Sequence, residues 1–120
     1  MVATLTQPVD IRELMSGTAA LTIDDVRALE QAVVNGQASE LRQAAYAVAN
    51  ELEEGSRSKS KEFRAGLAFY LLGQSRVAEP MLTRCQGDGL ADYYRGQALL
   101  GLGRYAEAAD AFAAAGKNGY

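Results

Sequence analysis

The chain has 120 residues, 48% of them hydrophobic, enough for one domain with a sizeable core and too few for two ordinary ones. Its 15 acidic residues outnumber 12 basic ones, giving a net charge of -3 and no electrostatic footprint for nucleic acid. With no histidine and one cysteine, the composition excludes a Cys/His zinc site, a histidine-activated nucleophile and an intrachain disulfide, so neither catalysis nor a metal or cofactor is expected.

Residues 1–21 read as an N-terminal extension with one short helix near 10–15. The stretch "MVATLTQPVDIREL" has neither a basic leader nor a continuous apolar run, and about 18 consecutive apolar residues occur nowhere. A cytoplasmic protein with no membrane partner is the expectation. From residue 22 onward apolar residues recur at helical spacing without sustained alternation, which makes the expected fold class all-α.

The first main helix spans 22–35, opened by Thr22 as its cap with Asp24 and Asp25 at the positive end of the dipole, and closed by "NGQ" at 35–37. A second, 38–54, ends at "EEGSRS". The third, 59–72, ends at "GQS". The fourth, 76–86, carries Pro80 a turn inside and is expected to start late or bend there. Asp88 caps the fifth, 89–102; "GLGR" then leads into the sixth, 105–116.

An internal repeat links these helices. "EFRAGLAFYLLGQSRVAEPML" (62–82) aligns without a gap over "DYYRGQALLGLGRYAEAADAF" (92–112), matching Gly66 with Gly96, Gly73 with Gly103, Ala78 with Ala108 and Leu82 with Phe112, always 30 positions apart. Taking Gly36 as the turn of an earlier unit, 37 positions before Gly73, puts Val26, Val33, Ala38, Leu41 and Ala45 in equivalent places. Three such units make a minimal stack. Gly96 lies where the second helix of its pair crosses, Gly103 supplies the tight turn, and Tyr105, Ala108 and Phe112 form an i, i+3, i+7 stripe expected to pack into the crossing.

The stretch "ADYYRGQALLGLGRYAEAADAFAAA" (91–115) resembles a tetratricopeptide repeat: small Gly96 and Gly103, then Tyr105, Ala108, an aromatic at Phe112 and Ala115. The unit before it keeps Gly66, Gly73, Ala78 and Leu82 but has Ser75 in place of the tyrosine. Asp92 and Glu62 stand where the family often has a large aromatic, and Arg95 where it usually has leucine. The spacing of 30 is shorter than the typical length of about 34. The resemblance implies a right-handed α-solenoid of about three hairpins, at about 22–54, 58–87 and 88–120. It also implies a non-catalytic function, holding a peptide or helical segment of another protein in a concave groove.

In such a stack the first helix of each unit lines the groove. Helical spacing then places Phe63, Leu67 and Tyr70 on the open face of the second unit, Tyr93, Gln97 and Leu100 on that of the third, and Val26, Glu30 and Val33 on that of the first. Phe63 and Leu67 equally suit contact with neighbouring repeats or with an N-terminal segment folded into the groove. Tyr70 and Tyr93 are the stronger partner-binding candidates, since an aromatic body with a hydroxyl tip suits a half-wet contact.

Other features read as structural. "SRSKSK" (56–61) is a solvated connector balancing nearby glutamates rather than a phosphate loop, and the Asp24–Asp25 and Glu53–Glu54 pairs are surface charge because neighbours on a helix diverge. Cys85 has no histidine to activate it and reads as a core residue. The last helix has alanine on most of its surface. That leads to the expectation that the chain is the N-terminal part of a longer repeat protein, or self-associates through its C-terminal helix. The alternative function is a small chaperone of three repeats for a secreted client, dimerising through the helix near 10–15.

Overall fold

The computed structural model describes residues 10–55 and 58–120, which form seven helices and no strand: α1 (Ile11–Ser16), α2 (Ile23–Val34), α3 (Ala38–Glu53), α4 (Lys59–Leu71), α5 (Ser75–Thr83), α6 (Gly89–Gly101) and α7 (Tyr105–Lys117). Residues 1–9 and the start of the "SRSKSK" connector, Ser56 and Arg57, lie outside the described residues. The fold class is all-α.

Side-chain caps set most of the starts. Thr22 Oγ1 accepts from the Asp25 amide at 3.1 Å while the Asp25 carboxylate accepts from the Thr22 amide at 3.0 Å, a reciprocal box that satisfies two otherwise free donors. Asp88 accepts from the amides of Leu90 and Ala91. Asp10 and Ser58 cap α1 and α4 in the same way. The fourth main helix differs from expectation: α5 begins at Ser75 rather than late, contains Pro80, and stops at Thr83. Pro80 falls beyond the first turn, so only the Arg76 carbonyl loses its helical partner and the start is unaffected.

The three glycine corners carry one hydrogen-bond pattern. Gly36 donates to Val33 O and Gln37 to Ala32 O (3.2 and 2.8 Å); Gly73 to Tyr70 O and Gln74 to Phe69 O (2.9 and 2.8 Å); Gly103 to Leu100 O and Arg104 to Leu99 O (3.0 and 2.9 Å). Each is the paired closure that ends a helix with a left-handed residue, and the three glycines have φ of 92°, 82° and 76°. Gly103→Ala is therefore expected to cost about 1–2 kcal/mol from the left-handed backbone alone. A lowered urea midpoint with an unchanged slope is the check.

The crossings also correspond. A Cβ on Gly66 would lie 2.9 Å from Leu82 Cγ and Cδ2, and one on Gly96 2.7–2.9 Å from the Phe112 ring. Aligning the corners puts Leu29 and Ala45 at these places in the first pair, both fully buried, so the order of small and large is reversed there. With leucine in the glycine position, α2 and α3 approach each other least closely of the three pairs, and α3 packs mainly on α4 and α1.

Tyr105 corrects the expected stripe. Ala108 and Phe112 enter the crossing, but Tyr105 is 69% exposed. Its counterpart Ser75 shows why: the Ser75 hydroxyl abuts Gly101 of the next helix, α6, so this position faces away from its own pair.

The extension belongs to the main core. Ile11 and Met15 of α1 are each 2% exposed. Arg64 Nε donates to Leu14 O at 2.7 Å and Ser60 Oγ to Ala19 O at 2.9 Å, tying the extension to α4. The apolar side of α1 is thus covered within the chain.

Candidate interaction surface

Of the six groove residues read from the sequence, two are not on an open face. Phe63 is 8% exposed and Leu67 fully buried. Phe63 lies at the wall of a cleft of about 330 Å³ shared with Ala20 and Leu21 of the extension and Leu90 and Ala91 of α6, so the folded-back N-terminal segment covers that face. Tyr70, Tyr93 and Gln97 are half-buried and Leu100 is 41% exposed. In α2, Val26 is buried, Val33 half-buried and Glu30 exposed.

What the fold assembles is a linked set of tyrosines. Tyr94 on α6 is the hub: its ring lies 5.7 Å from Tyr70 of α4 at 58°, and 5.1 Å from Tyr93 at 90°. Its hydroxyl donates to Glu30 Oε2 of α2 at 3.1 Å. Gln97 Nε2 donates to the Tyr93 hydroxyl at 2.8 Å. Tyr93 also touches Phe112 (5.6 Å) and stacks on Tyr120 at 4.6 Å and 21°. The tail carrying Tyr120 is held by its own amide bond to Ala115 O and by Asn118 Nδ2 donating to Asp92 at 3.0 Å.

Sequence reasoning missed Tyr94 and Tyr120. Tyr94 sits one position from Tyr93, about 100° round the helix, and so reads as a core residue. Its bond to Glu30, 64 positions away, has no local signal. Tyr120 lies beyond the last helix, where periodicity ends.

Burial, then Glu30, pushes the Tyr94 hydroxyl well above the ordinary tyrosine range; burial, then Tyr93 and Glu30, raises Tyr70. Both are neutral hydrogen-bonding groups at physiological pH. Because the folded forms hold their protons more tightly than the unfolded chain does, their contribution to stability is complete below about pH 10 and is lost as pH rises above it. The melting temperature is expected to fall as pH rises above about 10, and Tyr94→Phe to flatten that fall.

Cys85 is 2% exposed, its thiol directed at the Met81 and Lys59 carbonyls and pushed up to about 12, first by burial and then by Glu62 and Asp88. The thiol is therefore protonated at pH 8, and the nucleophilic thiolate is scarce. Native protein is expected to leave an aromatic disulfide reagent unreacted over hours, and urea-unfolded protein to react within minutes. A second concavity of about 320 Å³, between α1 and α3, has Ile11, Met15 and Val48 among its lining residues and Arg12, Glu40 and Glu51 among its charged ones. Among the described residues no group of three His, Cys, Asp or Glu is placed to hold a metal, and no helix is long and apolar enough to cross a membrane.

No family model, no curated protein and no solved structure matches this chain.

Proposed function

We propose that the chain is a non-catalytic interaction module, a short right-handed solenoid of tetratricopeptide-like hairpins that holds a segment of another protein across α2, α4 and α6. One observation carries the reading: Tyr94 joins the first helices of all three pairs, bonding Glu30 of α2 and touching Tyr70 of α4, so that Glu30, Tyr70, Tyr93 and Gln97 belong to one connected region, with the exposed Leu100 one turn after Gln97 on the same helix. The shared corner bonds and the matched crossings at Gly66 and Gly96 support the hairpins as copies of one unit. A half-buried aromatic surface with hydroxyl tips is the composition that anchors partner segments.

The test is selection of peptides from a random display library on the full chain, followed by mapping of amide shifts. The expected result is a set of ligands that move Tyr70, Tyr93, Gln97 and Leu100 and are lost on Leu100→Glu with the helical signal intact. Selected ligands that map elsewhere overturn the reading. Tyr105 extends it to self-association through α7, because the equivalent Ser75 already meets a following helix. Sedimentation is then expected to show concentration-dependent association that Tyr105→Glu removes, and a monomer at millimolar concentration would refute this extension.

A further inference from the structure

We infer that Asn118, followed by Gly119 and bonded to the buried Asp92, is a site of intramolecular deamidation whose product releases residues 118–120 from α6. Asn35 and Asn118 each precede a glycine, and both are exposed. The reaction is least hindered before glycine, because the attacking amide has no side chain beside it. The Gly119 nitrogen attacks Asn118 Cγ, the new C–N bond closes a five-membered imide, and the Cγ–Nδ2 bond breaks. The departing NH2 takes up the Gly119 amide proton and leaves as ammonia. Solvent water then opens the imide at either carbonyl, giving aspartate or isoaspartate. The Gly119 amide is held only by a long bond, 3.3 Å, to Gly116 O.

The two asparagines differ in what their side chains touch. Asn35 Oδ1 accepts from Gln31 Nε2 at 3.2 Å, and a carboxylate there keeps an acceptor. Asn118 Nδ2 instead donates at 3.0 Å to Oδ2 of Asp92, which is fully buried. Deamidation turns that donor into a second carboxylate, and two carboxylates about 3 Å apart do not both stay ionised. Arg95 is engaged at the other oxygen of Asp92, Oδ1, at 3.6 Å. Residue 118 is exposed and Asp92 is not, so residue 118 is the one that turns to water. The tail has little slack to absorb this, since a Cβ on Gly89 of α6 would lie 2.8 Å from Asn118 O and 3.0 Å from the Tyr120 nitrogen. Isoaspartate also lengthens the main chain by one carbon, shifting Tyr120, whose amide bonds Ala115 O at 2.9 Å and whose ring stacks on Tyr93 at 4.6 Å. Release opens that side of Tyr93, a residue of the binding face proposed above, but the release itself requires no partner.

The experiment ages the full chain at about pH 8 and about 37 °C for about two weeks. Peptide mapping follows the mass gain at each asparagine, and nuclear Overhauser contacts follow the Tyr93 and Tyr120 rings. The expected result is conversion at Asn118 at least about tenfold faster than at Asn50, which sits inside α3 before Glu51, with loss of the ring contact in the converted fraction. Asn118→Asp should lose the contact without ageing and with the helical signal intact. Asn118→Asp/Asp92→Asn exchanges donor and acceptor and should restore it, while Asn35→Asp should leave it unchanged. Conversion at Asn118 no faster than at Asn50 overturns the site. A Tyr93–Tyr120 contact that persists in the converted chain or in Asn118→Asp overturns the release. Both readouts are made without a ligand, so neither outcome bears on whether the face binds another protein.

Discussion

Asp92→Ala is expected to destabilise the domain by about 3 kcal/mol and to lower the melting temperature by roughly 10–15 °C. Asp92 is fully buried in the first turn of α6. Its carboxylate accepts from the Gly87 amide at 3.3 and 3.4 Å and from Asn118 Nδ2 at 3.0 Å, and Arg95 lies 3.6 Å away. It thus joins the loop before α6 to the tail after α7. Alanine would strand those donors and leave Arg95, whose buried Nε already has no partner, without its counter-charge. Asp92→Asn keeps an acceptor for Gly87 and should cost about half as much. Glu62 occupies the equivalent place 30 positions earlier, but its partner Arg84, 3.0 Å away, has a side chain 53% exposed and can return to water, so Glu62→Ala should cost less. Arg95→Leu is also expected to destabilise, by less than Asp92→Ala, since it leaves the fully buried Asp92 carboxylate without its counter-charge but with its Gly87 and Asn118 donors. Thermal and urea unfolding of the four variants orders these effects; Asp92→Ala at wild-type stability would show that the carboxylate does not clamp the tail.

Gly96→Val is expected to cost about 2–3 kcal/mol through overpacking. Its new Cβ would stand 2.7–2.9 Å from three atoms of the Phe112 ring, closer than carbon atoms approach, and the ring is wedged between Tyr93 and the α6 backbone. The gain in helix propensity on leaving glycine is a few tenths of a kcal/mol for valine, too small to decide the sign. In Gly96→Val/Phe112→Ala the clash is relieved, so the double variant should be at least about 1 kcal/mol more stable than the sum of the single effects predicts. Gly66 and Leu82 provide the same cycle in the earlier pair. Additive effects at Gly96 and Phe112 would mean that the close approach does not constrain the pair.

The helices and their limits were readable because their causes are local. Thr22, Asp88 and the glycines at 36, 73 and 103 act within five residues of themselves, through capping oxygens and left-handed φ, so the linear order carries the information. The crossing at Gly96 was also readable from its place opposite the Phe112 stripe, and the gapless match of 21 positions at an offset of 30 makes Gly66 and Leu82 its counterparts. The candidate site was half legible. Spacing put Phe63, Leu67 and Tyr70 on one stripe, but a stripe carries no record of what another segment lays over it. The 18–21 segment and α6 wall in Phe63 and leave Tyr70 partly open.

By itself the amino-acid order determined an all-helical chain, the positions of its turns, the correspondence of two helical pairs and the absence of histidine chemistry, because each follows from interactions within a turn or from composition. Tertiary structure alone decided that α1 is part of the core, that Tyr105 faces outward, and that Tyr94 rather than Tyr93 joins three helices through Glu30. Those outcomes depend on groups up to 64 positions apart competing for the same space and the same hydrogen-bonding partners. That competition is settled only when the helices pack.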